Sequence, residues 1–360
     1  MPAPGSGAAL DHEMITASAQ RTQPGAQTAE GPVRAGAAWM REWREAVTDP
    51  AELLRLLELP AAALPMRAAG GAFPLRVPRA FVARMRKGDP HDPLLRQVLP
   101  LADEDRVVPG FGSDAVGDLD ALAGSGVLHK YDGRALLVAT GSCAVHCRYC
   151  FRRHFPYDEE TAARNQWRDA LAYLRDRTDV SELILSGGDP WSLATHKLAE
   201  LTATLGEIPH VRRLRVHTRL PVVLPNRVDD ELLAWVRGLT VPLVVVIHAN
   251  HAAELDDAVA QALSRLRDVG ATLLNQSVLL RGVNDDAGAL AALSERLMDF
   301  GVLPYYLHLL DRVAGTAHFE VAAERGVELV RTLRDMLPGY LVPRLVREEA
   351  GAPSKLPVGA

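Results

Sequence analysis

The sequence predicts an α/β protein organised around a parallel barrel, complete or partial. Six short apolar runs rich in β-forming residues recur from residue 135 onward, mostly about 30 residues apart. Amphipathic stretches such as 159–177 and 252–269 separate these runs, and no dinucleotide-binding glycine fingerprint accompanies them. Six β/α units of this kind favour a barrel whose chemistry lies at the carboxyl ends of the strands. The predicted strands are 135–140, 182–186, 213–218, 242–248, 272–279 and 305–311.

Three further segments complete the predicted organisation around a barrel that spans residues 131–338. Residues 1–35 are rich in small and polar side chains and poor in large apolar ones, so we expect a disordered tail. Residues 36–130 are predicted to form a helical region, in which Asp49 and Pro50 mark the end of one helix and the start of the next. Residues 339–360 are predicted to form a short segment that closes the barrel.

Composition and charge exclude several classes of protein. The chain has 360 residues, of which 48% are hydrophobic and 24% charged, which is typical of a globular protein and excludes disorder of the whole chain. Lys and Arg number 40 against 45 Asp and Glu, without a basic block, so the charge footprint of a nucleic-acid binder is missing. No apolar run approaches the roughly 20 residues that span a bilayer, and no signal peptide is evident. A cytoplasmic enzyme or binding protein is therefore expected.

Lysine and cysteine are used sparingly. Lysine occurs only at Lys87, Lys130, Lys197 and Lys355, so nearly all the basic residues are arginines. A lysine retained against this bias suggests a task for a primary amine, such as a Schiff base, that a guanidinium cannot perform. The three cysteines fall within eight residues, a pattern that indicates a metal or cluster site rather than disulfides.

The strongest motif is a CxxxCxxC sequence directly after the first predicted strand. Cys143, Cys147 and Cys150 can hold three irons of a 4Fe–4S cluster and leave the fourth iron open for chemistry. A zinc site is the alternative, and it would need a fourth ligand such as His146 or His154.

The motifs resemble those of the radical S-adenosylmethionine superfamily. Tyr149 precedes the last cysteine, and Gly187, Gly188 and Asp189 close the second predicted strand as that superfamily's glycine-rich motif does. From residue 39 to the end, the chain resembles the lysine 2,3-aminomutase family. The segments that carry this resemblance are 147–155, 185–189, 275–285, 304–308 and 339–343. The resemblance is closest to a short bacterial branch linked to elongation factor P, through segments 75–79, 92–99, 127–131, 151–157 and 353–355.

The resemblance implies a partial (β/α)6 radical S-adenosylmethionine barrel and an isomerase activity. The implied enzyme converts (S)-α-lysine to (R)-β-lysine with a 4Fe–4S cluster, S-adenosylmethionine and pyridoxal 5′-phosphate, through a 5′-deoxyadenosyl radical. The implied partners are free lysine, an electron donor such as flavodoxin or ferredoxin, and a ligase that attaches β-lysine to elongation factor P. An aminomutase for another amino acid such as glutamate, or a non-catalytic iron–sulfur redox sensor, remains as an alternative.

The resemblance also implies site residues. Cys143, Cys147 and Cys150 would hold the cluster, and Lys355 would form the Schiff base with pyridoxal phosphate, although residues 351–354 and Leu356 depart from the family pattern. The other implied cofactor residues are Arg134 and Lys130 for the phosphate, and Gly187, Gly188, Asp189, His248 and Gln276 for S-adenosylmethionine.

The substrate residues implied by the resemblance are Arg152, Asp311 and Glu348. Arg152 would bind the lysine carboxylate, with its neighbour Arg153 as a rival. Asp311 and Glu348 would bind the distal ammonium, since two partly buried carboxylates suit one cation. The chain lacks the extra cysteines that link subunits through zinc in longer relatives, so a monomer or weak dimer is expected.

Overall fold

Seven adjacent parallel strands form the centre of the molecule. The computed structural model describes residues 35–67, 73–162 and 167–359. Within them, ten strands form one sheet in chain order. The strands are β1 (Leu122–Gly124), β2 (Val127–Tyr131), β3 (Arg134–Thr140), β4 (Glu182–Gly187), β5 (Arg213–Thr218), β6 (Leu243–Ile247), β7 (Thr272–Val278), β8 (Leu303–His308), β9 (Arg344–Arg347) and β10 (Leu356–Pro357).

The pairing of the strands makes the barrel partial. Strands β3 to β9 pair in parallel, while β1 and β2 on one side and β10 on the other pair antiparallel. The sheet ends at β1 and β10, which do not pair with each other among the described residues. The predicted partial (β/α)6 barrel is therefore confirmed, with β3 to β8 as its six β/α strands and β9 as an added parallel strand.

Helices precede the barrel and alternate with its strands. They are α1 (Ala35–Arg44), α2 (Pro50–Leu56), α3 (Arg79–Val82), α4 (Pro93–Arg96), α5 (Arg168–Asp176), α6 (Thr195–Leu205), α7 (Leu220–Val223), α8 (Asp230–Arg237), α9 (Asp257–Asp268), α10 (Ala287–Asp299) and α11 (Ala323–Met336). Short 3₁₀ turns occupy Ala102–Asp105, Pro190–Ser192, Pro225–Arg227, Ala252–Glu254, Ala317–Phe319 and Gly339–Leu341. Aspartates begin several helices: Asp229, Asp256 and Asp286 each accept a hydrogen bond from the third backbone N–H of the helix that follows.

One apolar core joins the N-terminal helices to the barrel. Leu53 and Phe81 of the helical region belong to the same buried cluster as Leu137, Val216 and Ile247 of the strands. The described residues accordingly form one compact unit rather than separate domains. None of the helices in the described ranges is both long and apolar enough to cross a membrane.

The structure differs from the predicted elements in a few places. Strands β1 and β2 lie inside the region predicted as helical, because they cover the edge of β3. The sixth predicted strand ends at His308, which leaves Asp311 in the loop beyond it. The predicted helix 252–269 is a 3₁₀ turn followed by α9, since the Asp256 cap starts a new helix. The predicted tail at 1–35 falls outside the described residues except for Ala35.

Candidate active site

A cavity of about 950 Å³ occupies the interior of the partial barrel. It reaches from the cysteine loop, at the carboxyl end of β3, to Arg134 at the start of the same strand. Every site residue implied by the resemblance lines this cavity. They are Lys130, Arg134, Cys143, Cys147, Cys150, Arg152, Gly187, Gly188, Asp189, His248, Gln276, Asp311, Glu348 and Lys355. The volume is at the upper end of the range for small-molecule sites.

The cysteine loop is attached to the N-terminal helical region. The backbone N–H of His146 donates to the carbonyl of Arg76 at 2.9 Å, and the N–H of Arg148 donates to the carbonyl of Gln97 at 2.8 Å. The fully buried Arg148 side chain also forms an ion pair with Glu104, which is paired with Arg153 at 2.7 Å as well. These contacts fix the loop that presents the three sulfurs to the cavity.

The zinc alternative lacks its proposed fourth ligand. Nδ1 of His146 lies 3.0 Å from the carbonyl of Pro74, and the ring stacks on Phe73 with centroids 5.1 Å apart. Nε2 of His154 lies 3.2 Å from the carbonyl of Ala314, and neither histidine lines the cavity. No three His, Cys, Asp or Glu side chains in the described ranges converge as the ligands of one ion would. A 4Fe–4S cluster does not require the three sulfurs to converge on one ion, because each thiolate binds a different iron.

Burial makes two of these cysteines, Cys143 and Cys150, difficult to ionise without a metal. Burial raises the pKa of the Cys143 thiol well above its usual value, and it raises the pKa of Cys150 to about 11. Iron would therefore displace protons from these sulfurs as it binds.

The Gly-Gly-Asp motif packs the end of β4 against the cysteine loop. A Cβ atom on Gly188 would lie 2.5 Å from the carbonyl oxygen of Ser142, which directly precedes Cys143, so a larger residue would displace that backbone. Gly187 has φ +114°, a conformation that only glycine adopts readily. These two glycines are thus required for the close approach of the two loops.

The Asp189 carboxylate accepts hydrogen bonds from four donors. Its Oδ1 accepts hydrogen bonds from the N–H of Trp191 at 3.1 Å and the hydroxyl of Thr218 at 2.7 Å. Its Oδ2 accepts from the N–H groups of Arg219 and Leu220, at 2.7 and 3.1 Å. With four donors satisfied, the carboxylate ties the end of β4 to the end of β5. Asp189 also lines the cavity, so its contact with S-adenosylmethionine stays a prediction.

His248 and Gln276 line the cavity from adjacent strand ends. Burial first, and then the charges of Arg219 and Lys355, lower the pKa of His248 to about 3, so the ring is neutral. Its Nε2 lies 3.4 Å from Nδ1 of His217. Oε1 of Gln276 is buried without a hydrogen-bond partner among the described residues, as is Nε2 of His308. Both residues line the cavity, so a polar ligand bound there would complete these atoms.

Five charged side chains of alternating sign run along one wall of the cavity. Arg152 Nε donates to Asp118 Oδ2 at 2.6 Å, and Lys130 Nζ lies 2.6 Å from Asp118 Oδ1. Lys130 Nζ also donates to Glu348 Oε1 at 3.2 Å, and Lys355 Nζ donates to Glu348 Oε2 at 2.7 Å. This ion chain joins the β2 edge of the barrel to the loop between β9 and β10.

The ion chain gives two of the predicted residues partners within the protein. Lys130 Nζ contacts Asp118, Glu348 and the carbonyl of Val116, the last at 2.7 Å, so it already has three partners, and its role on the cofactor phosphate stays a prediction. Burial opposes ionisation of Glu348, but Lys355 and Lys130 outweigh it and lower its pKa to about 2. Glu348 is therefore an anion whose two oxygens already have lysine partners.

Asp311 is the unpaired carboxylate. Its side chain makes no hydrogen bond or ion pair with the described residues, although it lines the cavity. Burial, and then the charge of Glu348, raises the pKa of Asp311 to about 7. A cationic group of a ligand beside Asp311 would offset both effects and lower this pKa.

The three arginines considered for the site differ in their surroundings. Arg152 is 7% exposed, lines the cavity and donates through Nη1 to Ser186 Oγ at 2.9 Å. Arg153 instead binds Glu104 outside the cavity, which excludes it as the rival of Arg152. The Arg134 guanidinium lies 4.5 Å from the centre of the Tyr131 ring and has no ion pair among the described residues. Arg134 thus remains available for an anion.

These residues fit the three implied cofactors. Three thiols from one loop suit a cluster with an open iron. The unpaired Gln276 and His308 atoms suit polar groups of a bound molecule, and a lysine with an unpaired arginine in the same cavity suits an aldehyde that carries a phosphate. The donor set is therefore compatible with a cluster, S-adenosylmethionine and pyridoxal phosphate.

Sequence reasoning missed two charged residues of the site. Arg219 directly follows Thr218, the last residue of a predicted strand, and the rule that chemistry lies at strand ends could have found it. Asp118 lies between β1 and α4 in a stretch without periodicity or motif. Its position beside Arg152 and Lys130 is visible only in the folded chain.

Comparison with known proteins finds several relatives that share one name. The chain is 49% identical over 322 residues to the L-lysine 2,3-aminomutase of Escherichia coli (strain K12), covering 89% of this chain and 94% of the relative. It is 46% identical over 318 residues to the L-lysine 2,3-aminomutase of Haemophilus influenzae, covering 88% and 94%. A solved radical SAM methyltransferase from Sphaerobacter thermophilus matches with TM-score 0.42 and 18% identity, over 61% of this chain and 68% of that one. No protein-family profile matches the chain.

Proposed function

The chain belongs to the L-lysine 2,3-aminomutase family of radical S-adenosylmethionine isomerases, and from that premise we propose that it converts (S)-α-lysine to (R)-β-lysine in its barrel cavity. The observation that carries the proposal is the single cavity that brings together three cysteines, a lysine and an unpaired carboxylate. A redox sensor has no need of such an amino-acid site.

Cys143, Cys147 and Cys150 would hold the 4Fe–4S cluster, and Lys355 and Arg134 would hold pyridoxal phosphate by its aldehyde and its phosphate. When bound, the cluster with S-adenosylmethionine supplies the radical chemistry that removes a substrate hydrogen, and pyridoxal phosphate supplies a conjugated carbonyl for the migrating amine. The protein contributes the positions of these groups and a buried cavity that limits access of water.

We assign substrate recognition to Arg152 and Asp311. The Arg152 guanidinium is fixed by Asp118 and Ser186, so it can meet the lysine carboxylate without first being ordered. Asp311 would meet the distal ammonium, because a buried cation requires an anionic partner. Glu348 contributes its negative charge beside Asp311 and holds Lys355 in place. A glutamate substrate would bring a carboxylate against Asp311 and Glu348, which disfavours that alternative.

We extend the proposal to the use of the product. Segments 92–99 and 151–157 resemble the bacterial branch that supplies (R)-β-lysine to elongation factor P, so the product would pass to a separate ligase. Reduction of the cluster would come from a flavodoxin or ferredoxin, and the enzyme would act in the cytoplasm. Intact mass measurement of elongation factor P, after coexpression with its ligase and with or without this chain, tests this assignment. A β-lysyl adduct that requires this chain supports it, and an unchanged mass contradicts it.

The activity itself is tested on anaerobically reconstituted protein. Incubation with dithionite, S-adenosylmethionine, pyridoxal phosphate and (S)-α-lysine should give (R)-β-lysine, identified by mass spectrometry and chiral derivatisation. Glutamate, supplied in parallel, should give no β-glutamate. A cluster-loaded protein that cleaves S-adenosylmethionine yet makes no β-lysine would contradict the proposed reaction.

A further inference from the structure

Arg219 is a buried arginine that contacts one of the three cysteine sulfurs. It follows the last residue of β5 and is 5% exposed. Its Nη1 donates a hydrogen bond to Cys147 Sγ at 2.8 Å, while its Nη2 donates to Gln97 Oε1 at 2.7 Å and to Glu254 Oε2 at 2.9 Å. The guanidinium therefore lies between one sulfur and two fixed acceptors. Among the described residues, no other lysine or arginine donates to any of the three sulfurs.

The surrounding polar groups fix the orientation of this guanidinium. Glu254 is fully buried, and its Oε1 accepts from Gln97 Nε2 at 2.9 Å and from the backbone N–H of Asn250 at 2.9 Å. The guanidinium also lies 5.3 Å from the ring centre of Phe81. Rotation of Arg219 away from Cys147 would leave the buried Glu254 carboxylate without its cation, which is strongly unfavourable. The donor is thus in place before any cluster binds.

We propose that Arg219 is a positioning residue for the cluster, which orients the Cys147 thiolate and raises the reduction potential of the cluster. The inference rests on the cluster assignment made in the proposed function. Reduction adds one negative charge to the cluster and its sulfurs. A charged hydrogen bond to a ligating sulfur stabilises that added charge, and such bonds are among the groups that set cluster potentials. Arg219 therefore favours the reduced cluster, the state from which an electron passes to S-adenosylmethionine.

The test is a redox titration of anaerobically reconstituted protein, followed by electron paramagnetic resonance of the reduced cluster. In Arg219→Gln, the ratio of reduced to oxidised cluster at the midpoint potential of the parent should fall at least tenfold. For a one-electron couple, that ratio corresponds to a shift of about 59 mV to lower potential. Arg219→Lys keeps the charge and should give a smaller shift. Iron content and circular dichroism confirm that each variant is folded and loaded.

Arg84→Lys is the matched control. Arg84 is also buried, lies 5.5 Å from the ring centre of Phe81 and binds the backbone carbonyl of Glu254, but it touches no sulfur. Its substitution should leave the potential unchanged, whereas a general disturbance of this region would move it.

A second variant tests the sign of the effect. Glu254→Gln keeps Arg219 but removes its counter-charge, so the cluster potential should rise rather than fall. This variant decides the question even where the Arg219 variants lose iron. Two results overturn the inference. One is a ratio of reduced to oxidised cluster in Arg219→Gln that stays within threefold of the parental ratio, and the other is a cluster potential that falls in Glu254→Gln. A parent protein that binds no iron would instead refute the cluster assignment on which the inference rests.

Discussion

Replacement of Asp311 by asparagine removes a cavity carboxylate that has no partner among the described residues. The pKa of Asp311 is raised from 3.8 to about 7, which corresponds to about 4 kcal/mol against its ionisation in the empty cavity. A substrate ammonium about 4 Å away would return a similar amount at an effective dielectric constant of about 20. Because Glu348 remains nearby, we expect Asp311→Asn to cost about 2–4 kcal/mol in lysine recognition, or about 30-fold to 1,000-fold in kcat/KM.

The assay is steady-state β-lysine formation by reconstituted enzyme across a range of lysine concentrations. The loss should lie mainly in KM, because the ammonium is distant from the reacting carbons. Cleavage of S-adenosylmethionine without lysine should change far less. Glu349→Gln is the control, since Glu349 forms an exposed ion pair with Arg347 at 2.7 Å and does not line the cavity.

The same carboxylate predicts a pH dependence of opposite sign for substrate binding and for stability. Lysine affinity should weaken as pH falls below about 7, because Asp311 then takes up a proton in the free enzyme. Stability of the cofactor-free parent should decline as pH rises from about 4 to 7, since the folded state holds this proton more tightly than the unfolded state. Asp311→Asn should remove this decline. A variant with parental KM for lysine and parental stability at pH 8 would refute the reasoning.

Three further changes test the rest of the site. Cys150→Ala should leave the circular dichroism of the barrel intact but abolish 5′-deoxyadenosine formation, and a rate near that of the parent would contradict the cluster ligands. Lys355→Arg should keep iron but lose the borohydride-trappable adduct with pyridoxal phosphate, because a guanidinium does not condense with an aldehyde; an adduct that persists would move the Schiff base to another lysine. Gly188→Ala should destabilise the fold by about 1–3 kcal/mol in chemical denaturation, since its Cβ would displace the Ser142 carbonyl, and parental stability would show that the cysteine loop yields without cost.

Local patterns predicted the strands well because each strand carries its own signal. The predicted strand 213–218 coincides with β5, and 182–186 falls one residue short of β4. Strands β1 and β2 were missed because their burial depends on pairing with β3, which no local pattern records. The end of β8 at His308 was missed for a similar reason, since apolar residues continue into the loop.

The site shows the same division between local and tertiary information. Cys143, Cys147 and Cys150 were found by their spacing, and the other site residues by resemblance. What could not be predicted was the pairing within the cavity. Lys130 and Glu348 were expected to be free for ligands, yet the fold places them against each other. Lys130 and Glu348 are 218 positions apart in the chain, and only the arrangement of the strands brings them together.

The cavity also concentrates positive charge in a chain whose formal net charge is −5. Its cationic lining residues are Lys130, Arg134, Arg152, Arg215, Arg219, Arg334, Arg344 and Lys355. Its anionic ones are Asp118, Asp189, Asp311 and Glu348. A cationic cleft in an otherwise acidic surface attracts anions by focusing the electrostatic field, and added salt weakens this attraction. A phosphorylated cofactor would therefore be drawn inward over distances of about 10 Å, and its rate of entry, more than its final affinity, would depend on ionic strength.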